Sequence, residues 1–340
     1  MIHLGRLYGV CYPWPVPRIA LVLGAGGIVG HAFHAGVLGG LADATGWDPR
    51  DADVVVGTSA GSVVGALVRA GFSAADLYAD TRGAPMSPDG ARLTNARATG
   101  QGPIPKRSDV ARNRRPSVPG RNVLTGAARG RVRPGVLAAA LMPEGVVSTE
   151  YVVAGLRPLF PDGWPRDPFW VNAVHLGDGR RVTFGRSGQP AVDVPTAVAA
   201  SCAIPSFFEP VAIDGERYVD GGVHSPTNAD VLAGDDPYDV VLISSPMSIA
   251  GRSVRLSPDE PMRRLARLAL TREVRKLRVE GTLVVAFQAT VGVAAEMGLN
   301  AMDPSRRAPV AQHAYESAIR RLDRADAREA RELLMKTRRA

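Results

Sequence analysis

Asp53-Val54-Val55-Val56-Gly57-Thr58-Ser59-Ala60-Gly61 is an apolar, β-branched run that breaks abruptly into Gly-x-Ser-x-Gly. β-Branched residues favour extended backbone. Glycines on either side of Ser59 allow a sharp turn with no Cβ in the way. Ser62 to Gly71 then carries apolar residues at helical spacing and closes on a glycine. Strand, tight turn and helix form the context in which this motif lifts a serine hydroxyl out of a sheet and sets it at the positive end of a helix. Ser59 is therefore the candidate nucleophile, with Gly57 and Gly61 as its turn glycines. In a chain with 37 glycines such a match alone is a weak signal, and its weight comes from the strand and helix around it.

Two further stretches bear on it. Upstream, Ile19-Ala20-Leu21-Val22-Leu23 ends in Gly24-Ala25-Gly26-Gly27-Ile28-Val29-Gly30, and His31 to Thr45 reads as a helix. A glycine-rich loop at a helix start exposes backbone N–H groups that suit an anion, either a cofactor phosphate or a transient oxyanion. The dinucleotide fingerprint fails in both registers: Gly24 and Gly26 are followed by Val29, and Gly27 and Gly30 are preceded by Ala25. No cofactor is expected. The blander reading is that these glycines only let helix and sheet pack closely. Downstream, Val211 to Val219 reads as a hairpin that delivers Asp220-Gly221-Gly222. Asp220 is the candidate base; an isolated Asp-Gly is otherwise a turn residue satisfying its own neighbours' N–H groups.

Length and composition set the frame. The 340 residues can bury a substantial core, and no apolar run is long enough to cross a bilayer. Met1 to Arg18 lacks a basic region followed by an apolar one, so no secretory signal is expected. Two cysteines, Cys11 and Cys202, exclude a disulfide framework and a cysteine-rich zinc site, and no metal is expected. A reducing, cytoplasmic setting follows as the expectation. The formal charge is +8, and between Arg82 and Pro134 twelve Arg and Lys face only Asp89 and Asp109. That segment carries the excess, shows no sustained hydrophobic period, and reads as a flexible basic insertion or lid that touches anionic membrane surfaces. It lacks zinc-finger spacing and interleaved aromatics, so nucleic acid is not an expected partner.

The remaining chain alternates strands and helices. Gly135 to Leu159 has helical spacing broken near Pro143 and Gly145, and Phe169–Val174 and Arg181–Phe184 flank the turn signal Gly177-Asp178-Gly179. Val194 to Ala203 reads as a short helix, Tyr238 to Ser244 as a buried strand, Met262 to Gly281 as a basic amphipathic helix and Thr282 to Phe287 as a strand. Arg307 to Arg339 reads as one long charged helix with a solvated face. The pattern predicts an α/β fold with a mostly parallel sheet covered on both faces.

With the glycine loop, the Gly-Thr-Ser-Ala-Gly turn and the late Asp-Gly-Gly in this order, the chain resembles the patatin-like phospholipase family. The likeness covers Arg18 to Gly71 and Val194 to about Ser245, including Ala203-Ile204-Pro205 and Phe207-Phe208-Glu209-Pro210. The resemblance implies a three-layer α/β/α serine acyl hydrolase with a Ser–Asp dyad acting on lipid esters. It implies Ser59 as nucleophile, Asp220 as base, and the N–H groups of Gly26, Gly27 and Ile28 as oxyanion hole. The expected division is an irregular lead-in over 1–17, a catalytic domain over 18–245 with the basic insertion at 82–134, and a C-terminal strand and helices over 246–340. Two departures stand out: Ala25 replaces a usual glycine, and Val29 replaces a frequent basic residue. The competing enzyme reading is a Ser-His-Asp esterase of the α/β-hydrolase type using His224 or His313; the non-enzymatic one is a lipid-binding homologue.

Overall fold

Every residue of the run Ile19–Leu23 is buried, and it forms strand β1 at the middle of the sheet. The structure, a computed structural model, describes residues 16–99, 121–130, 132–234, 236–251 and 257–337. Helix α1 (Gly27–Thr45) follows β1 and begins four residues earlier than the sequence suggested, because Gly30 N–H already closes a helical bond on Gly26 O at 2.9 Å. The second half of the glycine loop is thus the first turn of the helix. Strand β2 (Val54–Thr58) runs into α2 (Ala60–Arg69) and α3 (Ala74–Arg82).

The basic stretch is not a loop throughout. Pro88–Ala98 forms helix α4, capped by the Ser87 side chain, which accepts from Gly90 N–H. Only Leu93 supplies a large apolar side chain there, so the helix leaves no hydrophobic period to read. Buried Asp76 anchors its start by accepting from Ser87 N–H at 2.8 Å and Ser87 Oγ at 3.0 Å. Arg121–Ala128 forms α5; residues 100–120 of the expected insertion, and most of the 1–17 lead-in, lie outside the described residues.

Helices α6 (Pro134–Leu141) and α7 (Glu150–Leu156) precede the hairpin of β3 (Phe169–His175) and β4 (Arg181–Phe184). Then come α8 (Val194–Ser201) and a second hairpin, β5 (Val211–Ile213) and β6 (Glu216–Asp220). Strand β7 (Val240–Ile249), α9 (Glu260–Val279), β8 (Leu283–Ala289), α10 (Val291–Met297), α11 (Arg307–Leu322) and α12 (Arg328–Lys336) complete the described chain. The single C-terminal helix expected from the sequence is two, divided by a short 3-10 turn at Ala325–Ala327, which lets Ala330 and Leu334 bury in the main core.

The sheet has eight strands in the order β5-β6-β3-β2-β1-β7-β8, with β4 on β3; the five strands from β3 to β8 are parallel and the hairpins add antiparallel pairs. Alternation along β1 divides the interior. Ile19, Leu21 and Leu23 face the core shared with α1, α2 and α11, while Ala20 and Val22 face the core under α9. The result is a three-layer α/β/α arrangement. Helix α11 lies close on α1, where Gly36 and Gly40 meet the backbone of Ala311 and Tyr315.

Candidate active site

Register brings the two halves of the site together. Strand β2 ends with Thr58 opposite Asn172 of β3, and the next residue of β3, Ala173, pairs with Asp220. Asn172 and Ala173 also pair with Thr183 and Val182 of β4, which holds the other edge of β3. Strand β6 therefore takes over the edge that β2 leaves. Its last residue, Asp220, abuts the end of β2, one residue from Ser59.

Ser59 sits between β2 and α2 with φ 52° and ψ −122°, a region where a residue with a side chain is strained. The turn is held on both sides. Ser59 N–H donates to Ser201 Oγ at 2.9 Å, Ser201 Oγ donates to Asn172 O at 2.7 Å, and Ser59 O accepts from Ser62 N–H at 2.8 Å. Gly61 allows the close approach of the loop after β1: its N–H donates to Gly24 O at 3.1 Å, and a Cβ there would collide with the carbonyl of Leu23.

Asp220 is buried, at 5% exposure, and its Oδ1 accepts from Gly222 N–H at 2.7 Å. Burial pushes its carboxyl up to about 6, against the opposing pull of the Ser59 hydroxyl and the Gly222 N–H. The Ser59 hydroxyl therefore lies within interacting reach of the Asp220 carboxyl and favours its charged form. Asn228 ties this turn to β2, its Nδ2 lying 3.2 Å from both Thr58 Oγ1 and Gly221 O. Glu273 of α9 braces the following loop by accepting from Ser225 Oγ, Thr227 Oγ1 and Ala229 N–H.

The glycine loop divides its amides. Gly24, Ala25 and Val29 donate to Ser244 O, Pro226 O and Ala301 O at 3.0, 2.7 and 3.1 Å. Among the described residues nothing accepts from the N–H groups of Gly26, Gly27 or Ile28, the unsatisfied donors expected at a helix start. Gly27, with φ +63°, and Ile28 line the same pocket as Ser59, whereas Gly26 packs against Pro246 outside the lining. Gly30 and Gly222 flank the loop, the latter meeting Ala25. Ala25 has no positive φ, so a side chain fits there, and the buried Val29 side chain leaves no cation at its position.

The sequence reading passed over His34 and Ser201. His34 is buried and kept neutral by burial, its pKa falling to about 4; Nε2 donates to Gly24 O and Nδ1 accepts from Ser244 Oγ, both at 2.7 Å, the tautomer being set by those partners. It pins the glycine loop to α1. No spacing rule would have singled out either residue, because each acts only through a partner distant in sequence.

Ser59 opens into a pocket of about 300 Å³. Val63, Val152, Leu156, Ile204, Phe208 and Met302 make its apolar wall. Its polar end holds His31, Asp80, Arg97 and Arg307, with Arg307 3.1 Å from Asp80. Helix α4 contributes Thr94, Arg97 and Ala98. His31 Nε2 is shut from solvent with no partner among the described residues, and burial, then Arg97 and Arg307, holds its pKa well below the usual value. Neither histidine of the alternative triad lines this pocket. His224 lies beside Arg133 and Arg181, and burial followed by these cations lowers its pKa to about 3; His313 is exposed on α11. Among the described residues there is no cluster of side chains able to hold a metal, and no helix is long and apolar enough to cross a membrane.

The sequence matches the Patatin-like phospholipase family over residues 21–233, a span that contains Ser59 and Asp220. Among solved structures, VipD from Legionella pneumophila is 14% identical, with 91% of this chain and 67% of that chain covered and a TM-score of 0.40. The type III effector protein ExoU is 18% identical, with 94% of this chain and 54% of that chain covered and a TM-score of 0.34. This chain thus spans about half the length of ExoU. No curated protein matches.

Proposed function

Because the chain belongs to the patatin-like phospholipase family, a family of lipid hydrolases, we propose that it cleaves carboxylic esters of lipids through an acyl-enzyme on Ser59, with Asp220 as the base. The observation that carries this reading is the meeting of a strained serine, which lines a largely apolar pocket, with a desolvated carboxyl.

In the proposed reaction Ser59 Oγ attacks the ester carbonyl carbon as its proton passes to the Asp220 carboxylate. The carbonyl oxygen, now an oxyanion, points to the N–H groups of Gly27 and Ile28, with Gly26 as the third donor named by the family pattern. Collapse of the adduct expels the alcohol, which takes the proton back from Asp220. Water then repeats the sequence on the acyl-enzyme and restores Ser59. A carboxylate at its ordinary pKa of about 4 is a weak base for a hydroxyl. Burial raises Asp220 towards the working pH, which improves proton transfer. Each oxyanion donor is worth about a hundredfold or more. The apolar wall receives the acyl chain, and the substrate class is phospholipid, lysophospholipid or acylglycerol.

The test is labelling by a fluorophosphonate together with turnover of phospholipid, lysophospholipid, acylglycerol and nitrophenyl esters. Wild type should label and turn over at least one lipid ester, and Ser59→Ala should do neither while keeping its melting temperature. Labelling retained in folded Ser59→Ala protein would remove Ser59 as the nucleophile. A folded wild type inert to probe and to every ester would leave the lipid-binding reading in its place.

A further inference from the structure

Strand β8 ends the sheet on the β7 side, and a groove of about 840 Å³ runs along it between α9 and α11. Its floor is apolar, with Phe33 and Val37 of α1, Leu270 of α9 and Phe287 of β8. Its walls carry Arg267, Arg275, Arg278, Arg320, Arg321 and Arg324 against one lining carboxylate, Asp326. It shares no residue with the Ser59 pocket.

The backbone of β8 gives these arginines a chemical meaning. Leu283 N–H donates to Asp239 O and Ala289 O accepts from Ala250 N–H, so the odd-numbered residues face β7. Val284, Ala286 and Gln288 therefore turn their backbone groups towards the groove. The outward carbonyls of Val284 and Ala286 each accept from a guanidinium, Arg278 Nη2 at 3.1 Å from one wall and Arg321 Nε at 3.1 Å from the other. Among the described residues nothing accepts from the N–H groups of Ala286 and Gln288.

An open edge ordinarily offers alternating donors and acceptors and so templates another strand. Here the acceptors are covered by cations while the donors stay open. Such an edge cannot pair with a peptide strand, which needs both; it suits a ligand that only accepts. The Gln288 side chain also lines the groove. Arg321 is further held by Asp326 at 3.0 and 2.8 Å, but the side chains of Arg275 and Arg324 are exposed and have no partner among the described residues.

We propose that this groove is a binding site for a phosphate-bearing anion with an apolar body, separate from the Ser59 pocket. Phosphate oxygens accept without donating, carry more than one charge and match the planar guanidinium fork. The volume falls within the range of small-ligand sites, about 300–1,000 Å³. The apolar floor receives the carbon portion of the ligand.

The test uses the full chain carrying Ser59→Ala, so that no ester is turned over. Inorganic pyrophosphate is titrated by calorimetry, and vesicles of phosphatidylcholine with phosphatidic acid are sedimented with and without pyrophosphate as competitor. Arg275→Glu and Arg324→Glu, each at an exposed and unpaired position, should weaken pyrophosphate binding about tenfold or more, as loss of a charge-assisted bond implies. Arg92→Glu, an equal change of charge at an exposed site on α4, should leave it within about twofold. Vesicle binding that pyrophosphate displaces and Arg275→Glu weakens identifies a lipid headgroup as the source; pyrophosphate binding without it identifies a free phosphorylated ligand. No binding of pyrophosphate by the folded protein at physiological salt would overturn the proposal. So would an equal loss in Arg92→Glu, or displacement by a glutamate-rich peptide as effective as pyrophosphate.

Discussion

Replacing Asp220 by Asn should make the protein more stable while making it inactive, and the size of the gain should depend on pH. Burial raises the carboxyl to about 6 in the folded chain, whereas an unfolded aspartate titrates near 3.9. Between those values the folded protein holds a proton that the unfolded chain has released, so stability falls by about 1.4 kcal/mol per pH unit. The gap of about two units amounts to about 3 kcal/mol. Asp220 is 5% exposed, so solvent screening removes little of this. The wild type therefore keeps the full contribution below about pH 4 and has lost it above about pH 7. Asparagine carries no charge, and its Oδ1 can still accept from Gly222 N–H. Urea unfolding of both proteins from pH 4 to 8 should show a difference near zero at the acid end, growing to about 3 kcal/mol in favour of Asp220→Asn. Ester turnover by the variant should be about a hundredfold or more below wild type. A stability difference flat across this range would refute the desolvated carboxyl, and with it the reason that aspartate can act as base here.

Four other outcomes follow from the same geometry. kcat/KM should rise with pH through a midpoint near 6 to a plateau above about 7, falling to about a tenth of it at pH 5, because the base must be ionised; a profile flat from pH 5 to 8 would contradict the value for Asp220. His224→Ala and His313→Ala should each keep activity within about threefold, since neither lines the pocket; a loss matching Asp220→Asn in a folded protein would restore a triad. Gly61→Ala should lower stability by about 1–3 kcal/mol and cut turnover, read by urea unfolding and a nitrophenyl ester assay, because the new methyl would meet the Leu23 carbonyl. Replacing residues 100–120, with their five basic residues and Asp109, by an equally long Gly/Ser segment should reduce sedimentation with anionic vesicles at low salt; unchanged binding would remove the proposed membrane contact of this stretch.

What could be read from the chain alone is what neighbours in sequence decide. The β-branched run before Ser59 and the glycines around it specify strand and turn through local sterics, and both hairpins announce themselves by alternation and turn residues. The apolar runs at Ile19–Leu23 and Val54–Val56 signalled buried parallel strands for the same reason. Helix α4 escaped notice because its side chains are mostly polar: it is fixed by a cap and by Asp76, neither of which leaves a hydrophobic period. The break between α11 and α12 was equally silent, since the chain turns there to bury Ala330 and Leu334. Only the tertiary register could place Asp220 beside Ser59, 161 positions apart, because that depends on β6 succeeding β2 along one edge of β3. The amides of the glycine loop were likewise legible as candidates but not as free or engaged, because their acceptors, Ser244, Pro226 and Ala301, come from distant parts of the chain. The arginines along β8 read in sequence as a basic helix face and a solvated C-terminal helix. They became a single cationic groove only when two helices were laid on opposite sides of one open sheet edge, a juxtaposition of long-range packing that no local pattern encodes.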